Sequence, residues 1–388
     1  MSNELSIRAV DIFYGPRRDL GGSYGPPRWQ FLRIATDAGV DGWSEAVLEG
    51  NPGAVRGALG ELSEYLIGKD PRAIGHHWSR MYTDNFYRGG PVLVSAISAV
   101  DNALWDIKGK VLGVPTYELL GGPVRSAVPV YCHIGGTTGS ELAEDALRAA
   151  SQGFTVFKTV LSGPAPRLGE VRFVDSEVAR FHQLREAIGP DYEFAIDFHG
   201  RASPALSRVL LAELESCRPL FVEEPCLPEN VVAMKELRAS TSIPIATGER
   251  LFTKWGFREA IEQRIADVYQ PDVCHAGGIS ELVKIAAMAD AHYATIAPHN
   301  PLGPVALAAS LQVDCVCENA LIQELVRDLG EGLIEEPFRV VDGMIAAPAG
   351  PGLGVTVNLD ALRPASAEDD WTWPIPPLSY RDGSVAPW

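Results

Sequence analysis

Apolar and polar positions alternate along the chain in two regimes, and the change falls near residue 125. Before it, SIRAVDIFY, RWQFLRIATD and VDGWSEAVLEG have the apolar density and Gly/Pro-rich flanks of three strands in an antiparallel meander. From Pro52 the spacing becomes helical, as in VRGALGELSEYLIG. PVLVSAISAVDNALWDIKGKVLG is apolar almost all round, which predicts a helix buried between two layers. Residues 1–125 therefore predict an α+β domain.

After GGPV (121–124) strand and helix alternate strictly. The strands read VPVYCHIG, TVFKTV, EFAIDF, LFVEE, IPIATGE, ADVYQPDV, ATIAPH and ALIQE. Helices such as ELAEDALRAASQG, DSEVARFHQLREAIG and ISELVKIAAMADAH lie between them. Eight strands with interposed helices predict a closed parallel barrel over 126–345. The remainder, 346–388, with Pro, Trp and Asp-Gly turns, predicts an extended segment returning to the first domain.

Polar residues end the apolar runs at a regular beat. Asp197, Glu223 and Glu249 close AIDFHG, LFVEEP and IPIATGER, each 26 residues after the last. Asp272, His299 and Glu324 follow at intervals of 23, 27 and 25. In a parallel barrel such positions are the C-terminal strand ends, where chemistry is done. One acidic residue there is more often a loop group or helix N-cap. Three at the barrel period are costly to bury unless they are paired or hold a cation, which favours a metal site. Alternation selects Glu223 over Glu224, because Phe221 and Glu223 share one strand face. Three hard oxygen ligands suit Mg²⁺, and the lack of Cys or His among them argues against zinc.

Asp272 and His299 come from successive strands, so the carboxylate can fix the imidazole tautomer and make the other nitrogen a base. His199, two residues after Asp197, falls on the same strand face, as a general acid, a fourth ligand or a hydrogen-bond donor to substrate. Glu324 is expected to bond substrate hydroxyls or a developing oxyanion, or else to cap structure. Lys158 in TVFKTV either binds a substrate carboxylate or snorkels.

Composition narrows the classes. With 46% hydrophobic and 21% charged residues, the 388-residue chain can bury large cores. A formal charge of −17 argues against nucleic acid and anionic membranes as partners. The six cysteines form no C-x-x-C pair, which predicts buried free thiols in a cytoplasmic protein. No signal-peptide pattern and no apolar stretch of roughly 18 residues is visible. Gly21-Gly22-Ser23-Tyr24-Gly25 matches a nucleophile elbow, yet PRRDL and Pro26-Pro27 flank it instead of a strand and a helix. Neither a phosphate loop nor a post-strand G-x-G-x-x-G occurs, so nucleotide cofactors are not indicated.

At the level of motifs the chain resembles the enolase superfamily, mandelate-racemase subgroup, and within it the acid-sugar dehydratases typified by the galactonate enzyme. PPRW (26–29), FYRGGP (86–91), ALWDIKGK (103–110), DFHGR (197–201), EEP (223–225) and GER (248–250) carry the resemblance. So do HAGG (275–278), APH with PLGP (297–304) and PGLGV (351–355). It implies a (β/α)7β modified TIM barrel beneath an α+β capping domain. It also implies Mg²⁺ on Asp197, Glu223 and Glu249, with Asp272–His299 as catalytic dyad, His199 as acid and Glu324 as assisting carboxylate. Arg88 and Glu45 are expected as substrate or loop contacts. The implied reaction is dehydration of a sugar acid, such as D-galactonate or a close relative, to a 2-keto-3-deoxy acid through an enediolate. By resemblance the protein works as a homo-oligomer.

Three segments depart from that family pattern: GPRRDLGGSYG before PPRW, Val160 where racemases of the subgroup carry a second lysine, and LVRDLGEGL after Glu324. Val160 removes one candidate base and so lowers racemisation. The rival enzyme reading is an epimerase or cycloisomerase with the same metal. A two-metal isomerase wants extra histidine ligands, and a non-catalytic binding protein is expected to lose Asp272 or His299.

Overall fold

The computed structural model describes residues 5–17, 28–364 and 377–387. The Gly21–Gly25 run and Pro26-Pro27 lie outside the described residues.

Strands β1 (Ile7–Arg17), β2 (Arg28–Thr36) and β3 (Asp41–Glu45) form the antiparallel meander. The sheet rests on the helix Pro91–Leu112, which starts with proline and ends at the left-handed Gly113. Gly42 lets the two layers meet: a Cβ there would stand 2.1 Å from the Ala103 carbonyl oxygen. Leu32 and Ile34 of the sheet join Ile97, Val100 and Leu104 of the helix in a separate core.

The eight expected barrel runs all appear, in order. They are β4 (Ala127–His133), β5 (Val156–Val160), β6 (Glu193–Asp197), β7 (Val222–Glu223), β8 (Ile245–Thr247), β9 (Val268–Tyr269), β10 (Thr295–Ile296) and β11 (Gln323–Leu325). Successive strands are parallel neighbours from β4 to β10, and β11 pairs with β4. A bridge between Ile296 and Ala320 closes the ring from β10 to the approach of β11. Seven helices, from Gly139–Ser151 to Pro304–Asp314, separate the eight strands, which is the (β/α)7β arrangement with an α+β cap. Tyr131, Ala195, Phe221, Ala246, Val268, Ala297 and Ile322 fill the barrel interior, so the polar strand ends stand above a packed floor.

After the barrel, β12 (Met344–Ala346) pairs antiparallel with β4, and β13 (Arg363–Pro364) pairs with β1 of the cap. The return to the cap is thus made by β13. Residues 377–387 instead fold back on themselves through a Ser379–Val385 bridge, with Tyr380 4.8 Å from Arg167 of a barrel loop. All six cysteines are buried and free. Among the described residues no helix is long and apolar enough to cross a membrane.

Candidate active site

Asp197 and Glu223 end neighbouring strands β6 and β7 in direct register, and Glu249 follows β8. One carboxylate oxygen from each lies within 4.8 Å of the others. Asp197 and Glu223 are fully buried. Burial and the adjacent Asp197 push the Glu223 carboxyl up to about 8. Its Oε1 is sealed off with no hydrogen-bond partner. So many like charges at this separation are unfavourable unless a cation shares them, and the hard oxygen donors fit a divalent one. Glu224, the next residue, takes a φ of 39° and turns the other way, onto Arg250.

The groups expected to act as acid and base flank this triad. His299 donates from Nδ1 to Asp272 Oδ2 at 2.8 Å, and Asp272 Oδ1 accepts the Cys274 amide at 2.6 Å. The other imidazole nitrogen, Nε2, stands 2.9 Å from Glu249 Oε2. Burial pulls the His299 pKa down, but the Glu249 and Glu324 carboxylates outweigh it and hold the ring well above the ordinary range. His199 sits on another side of the triad, with Nε2 2.9 Å from Asp197 Oδ2. Its φ of 50° is a left-handed conformation that a non-glycine residue adopts at a cost. Burial raises Asp197, yet His199 and Lys158 pull it further the other way, so it is held ionised.

Lys158 is 2% exposed, which rules out snorkelling. Its ammonium lies 2.5 Å from Glu324 Oε1, 2.9 Å from Glu223 Oε2 and 3.4 Å from Asp197 Oδ2. Three carboxylates thus share it before any substrate arrives. Glu324 also accepts the Asn300 amide at 3.0 Å.

Two residues expected as substrate or loop contacts do not pair with the triad among the described residues. Glu45 is fully buried and caps the helix Pro304–Asp314, accepting amides from Gly303 at 2.8 Å and Val305 at 2.9 Å. Burial drives its carboxyl up to about 7 despite those bonds. Those bonds tie the capping sheet to the last barrel helix. Arg88 is exposed between the helices Ile74–Thr83 and Pro91–Leu112, beside exposed Phe86 and Tyr87. Among the described residues it pairs with none of the groups above. Glu45→Ala is expected to cost about 1–3 kcal/mol by orphaning buried amides, read as a lower melting midpoint with turnover per folded molecule retained. A raised KM at an unchanged midpoint would restore the substrate-contact role.

Comparison with known families now bears on this geometry. Residues 141–361 match the family described as enolase C-terminal domain-like, and residues 21–121 match the mandelate racemase / muconate lactonizing enzyme N-terminal domain. The chain belongs to the mandelate racemase / muconate lactonizing enzyme family of the enolase superfamily. Among curated members, a D-galactonate dehydratase of Ralstonia pickettii is 46% identical, covering 94% of this chain and 97% of that protein. One from Verminephrobacter eiseniae is 47% identical over the same shares. Among solved members of the superfamily, one from Salmonella Typhimurium aligns with a TM-score of 0.85 at 28% identity, over 92% of this chain and 97% of that one. The 3,6-anhydro-D-galactonate cycloisomerase of Zobellia galactanivorans aligns at 0.82 and 29% identity over the same shares.

For a member of this family, sequence reasoning left three groups at the site unassigned. His133 ends β4 and touches Glu324 at 2.5 Å. Arg250 holds Glu224 beside the triad. His275 is bonded to Ser95 Oγ of the cap at 2.9 Å and lies 3.9 Å from Asp272. Two of them sat in quoted motifs, HAGG and GER, and His133 closed a strand run, so strand-end position was the available signal.

Proposed function

We propose that the chain is a Mg²⁺-dependent acid-sugar dehydratase, converting an aldonate such as D-galactonate or a close relative to a 2-keto-3-deoxy acid. The observation that carries this reading is one cluster in which a carboxylate triad meets the Asp272–His299 dyad through Glu249 and is touched by His199 at Asp197. Identity of 44–47% to curated D-galactonate dehydratases over nearly the whole chain supports it.

Asp197, Glu223 and Glu249 would hold the cation. Bound there, Mg²⁺ supplies the positive charge that anchors the substrate carboxylate and offsets the charge that grows on it during C2 deprotonation. Asp272 fixes the Nδ1–H of His299, and a cation held on Glu249 would offset the carboxylate charge that keeps the ring protonated, freeing Nε2 to take the C2 proton. His199 gives a proton to the departing C3 hydroxyl, which leaves as water. The enol so formed tautomerises to the 2-keto-3-deoxy acid. Lys158 holds positive charge under the reacting end, and Val160 offers no second base on the neighbouring strand position. The same reading makes the protein a cytoplasmic homo-oligomer with a small-molecule substrate.

A cycloisomerase neighbour of the same fold favours one alternative, an epimerase or cycloisomerase using the same deprotonation. Incubating aldonic and aldaric acids with protein and Mg²⁺ in D₂O separates the two. Dehydration gives a 2-keto-3-deoxy product, while epimerisation exchanges the C2 hydrogen without one.

A further inference from the structure

His133 is the C-terminal residue of the first barrel strand and lies two positions beyond Tyr131, so both project inward. β4 stands between β11, which carries Glu324, and β5, which carries Lys158 in register with His133. The ring's Nε2 is 2.5 Å from Glu324 Oε1. Glu324 is 0% exposed and Lys158 2%, whereas the His133 side chain is 23% exposed. Of these three groups, His133 is the one open to the barrel mouth.

The proton positions follow from the partners. Burial raises the Glu324 carboxyl, but Lys158, His299 and His133 draw it well below its usual range, so it is ionised and can only accept. Nε2 of His133 must therefore carry the hydrogen. Burial keeps the imidazole pKa low in spite of Glu324, and a neutral ring protonated at Nε2 has a bare lone pair at Nδ1. No partner occupies Nδ1 among the described residues, and it is not among the sealed polar atoms. A fixed acceptor open to the cavity is suited to a hydroxyl, and a polyhydroxy acid brings several.

We propose that His133 is a specificity-determining residue: anchored through Nε2 on Glu324, it accepts at Nδ1 a hydrogen bond from one hydroxyl of the sugar acid. The ligand class rests on the dehydratase reading above; the orientation of the ring does not. A site that hydrogen-bonds a hydroxyl discriminates strongly against ligands that place it elsewhere, because the buried acceptor is then left unpaired. Glu324, already engaged by His133, Lys158 and the Asn300 amide, is thereby a support for this contact.

Three variants separate substrate recognition from merely holding Glu324. His133→Gln can place its amide near the position of Nε2, keeping the bond to Glu324 and losing the Nδ1 acceptor. His133→Asn does the reverse, and His133→Ala loses both. Each is measured with Mg²⁺ on a panel of aldonates, D-galactonate included, that differ at single carbinols. Binding is read by calorimetry in the His299→Asn background and kcat/KM in the otherwise unchanged protein, with melting midpoints as the control for folding. His133→Gln is expected to lose about tenfold in affinity and KM for the preferred acid, with kcat nearly kept and discrimination against one epimer flattened. His133→Asn is expected to keep that discrimination and lose kcat. Discrimination unchanged in His133→Gln overturns this assignment alone. A panel in which no aldonate binds the unchanged protein overturns the ligand class along with it.

Discussion

His299→Asn is expected to lower turnover of the preferred aldonate by at least about a thousandfold, near the upper reach of general-base catalysis, while the melting midpoint stays put. The substitution is chosen for what it preserves. An asparagine amide can still donate toward Asp272, which is buried and accepts the Cys274 amide with its other oxygen, so no buried charge is orphaned. What disappears is the basic nitrogen at the position of Nε2, 2.9 Å from Glu249. In the proposed function substrate anchoring runs through the triad and is left alone, so KM should change little. Exchange of the C2 hydrogen in D₂O should stop together with product formation, since both need the same proton transfer. His199→Asn should differ here: loss of the acid slows departure of the C3 hydroxyl, and C2 exchange continues. A His299→Asn protein retaining a tenth of its activity has its base elsewhere.

Much of this site was readable in the sequence because barrel architecture converts chain period into spatial position. A βα unit of roughly constant length puts one strand end beside the next, so equal spacing of Asp197, Glu223 and Glu249 already implied one cluster. The hydrogen-bonded parts of β7, β9 and β10 are two residues each, far shorter than the apolar runs that announced them. Register survived this because it is set by the repeat and not by strand length. What could not be read were contacts made only when elements distant in the chain meet. His133 and Glu324 are 191 positions apart, and Glu45 is 258 from Gly303. No local pattern encodes such a pairing. Glu45 was left open between a substrate and a loop contact because a carboxylate at a strand end has two destinations, a ligand or a helix N-terminus, and the sequence does not say which helix will arrive. Lys158 was left open between a substrate carboxylate and snorkelling for a related reason. The carboxylates that surround it come from β6, β7 and β11.

The second large effect concerns the triad. Three acidic groups within 4.8 Å, two of them paired with Lys158, make an arrangement that the metal-free protein holds against like-charge repulsion. Binding a dication relieves that strain, so Mg²⁺ should stabilise the fold as well as activate it. Saturation at a hundred times Kd contributes roughly 2.7 kcal/mol by mass action, enough to lift the melting midpoint by a few degrees over the chelator-treated protein. Glu223→Gln tests both consequences at once. The amide keeps the shape and can still accept from Lys158, yet removes the charge that burial and Asp197 oppose most strongly. The variant should therefore melt higher than the unchanged protein in chelator and respond weakly to Mg²⁺, with half-saturation raised by about a hundredfold and activity nearly lost. A charge kept at a stability cost is what a working metal ligand requires and a structural carboxylate does not. Should Glu223→Gln titrate with Mg²⁺ as the unchanged protein does, the cation is bound by other groups, and the anchoring of the substrate has to be rebuilt around them.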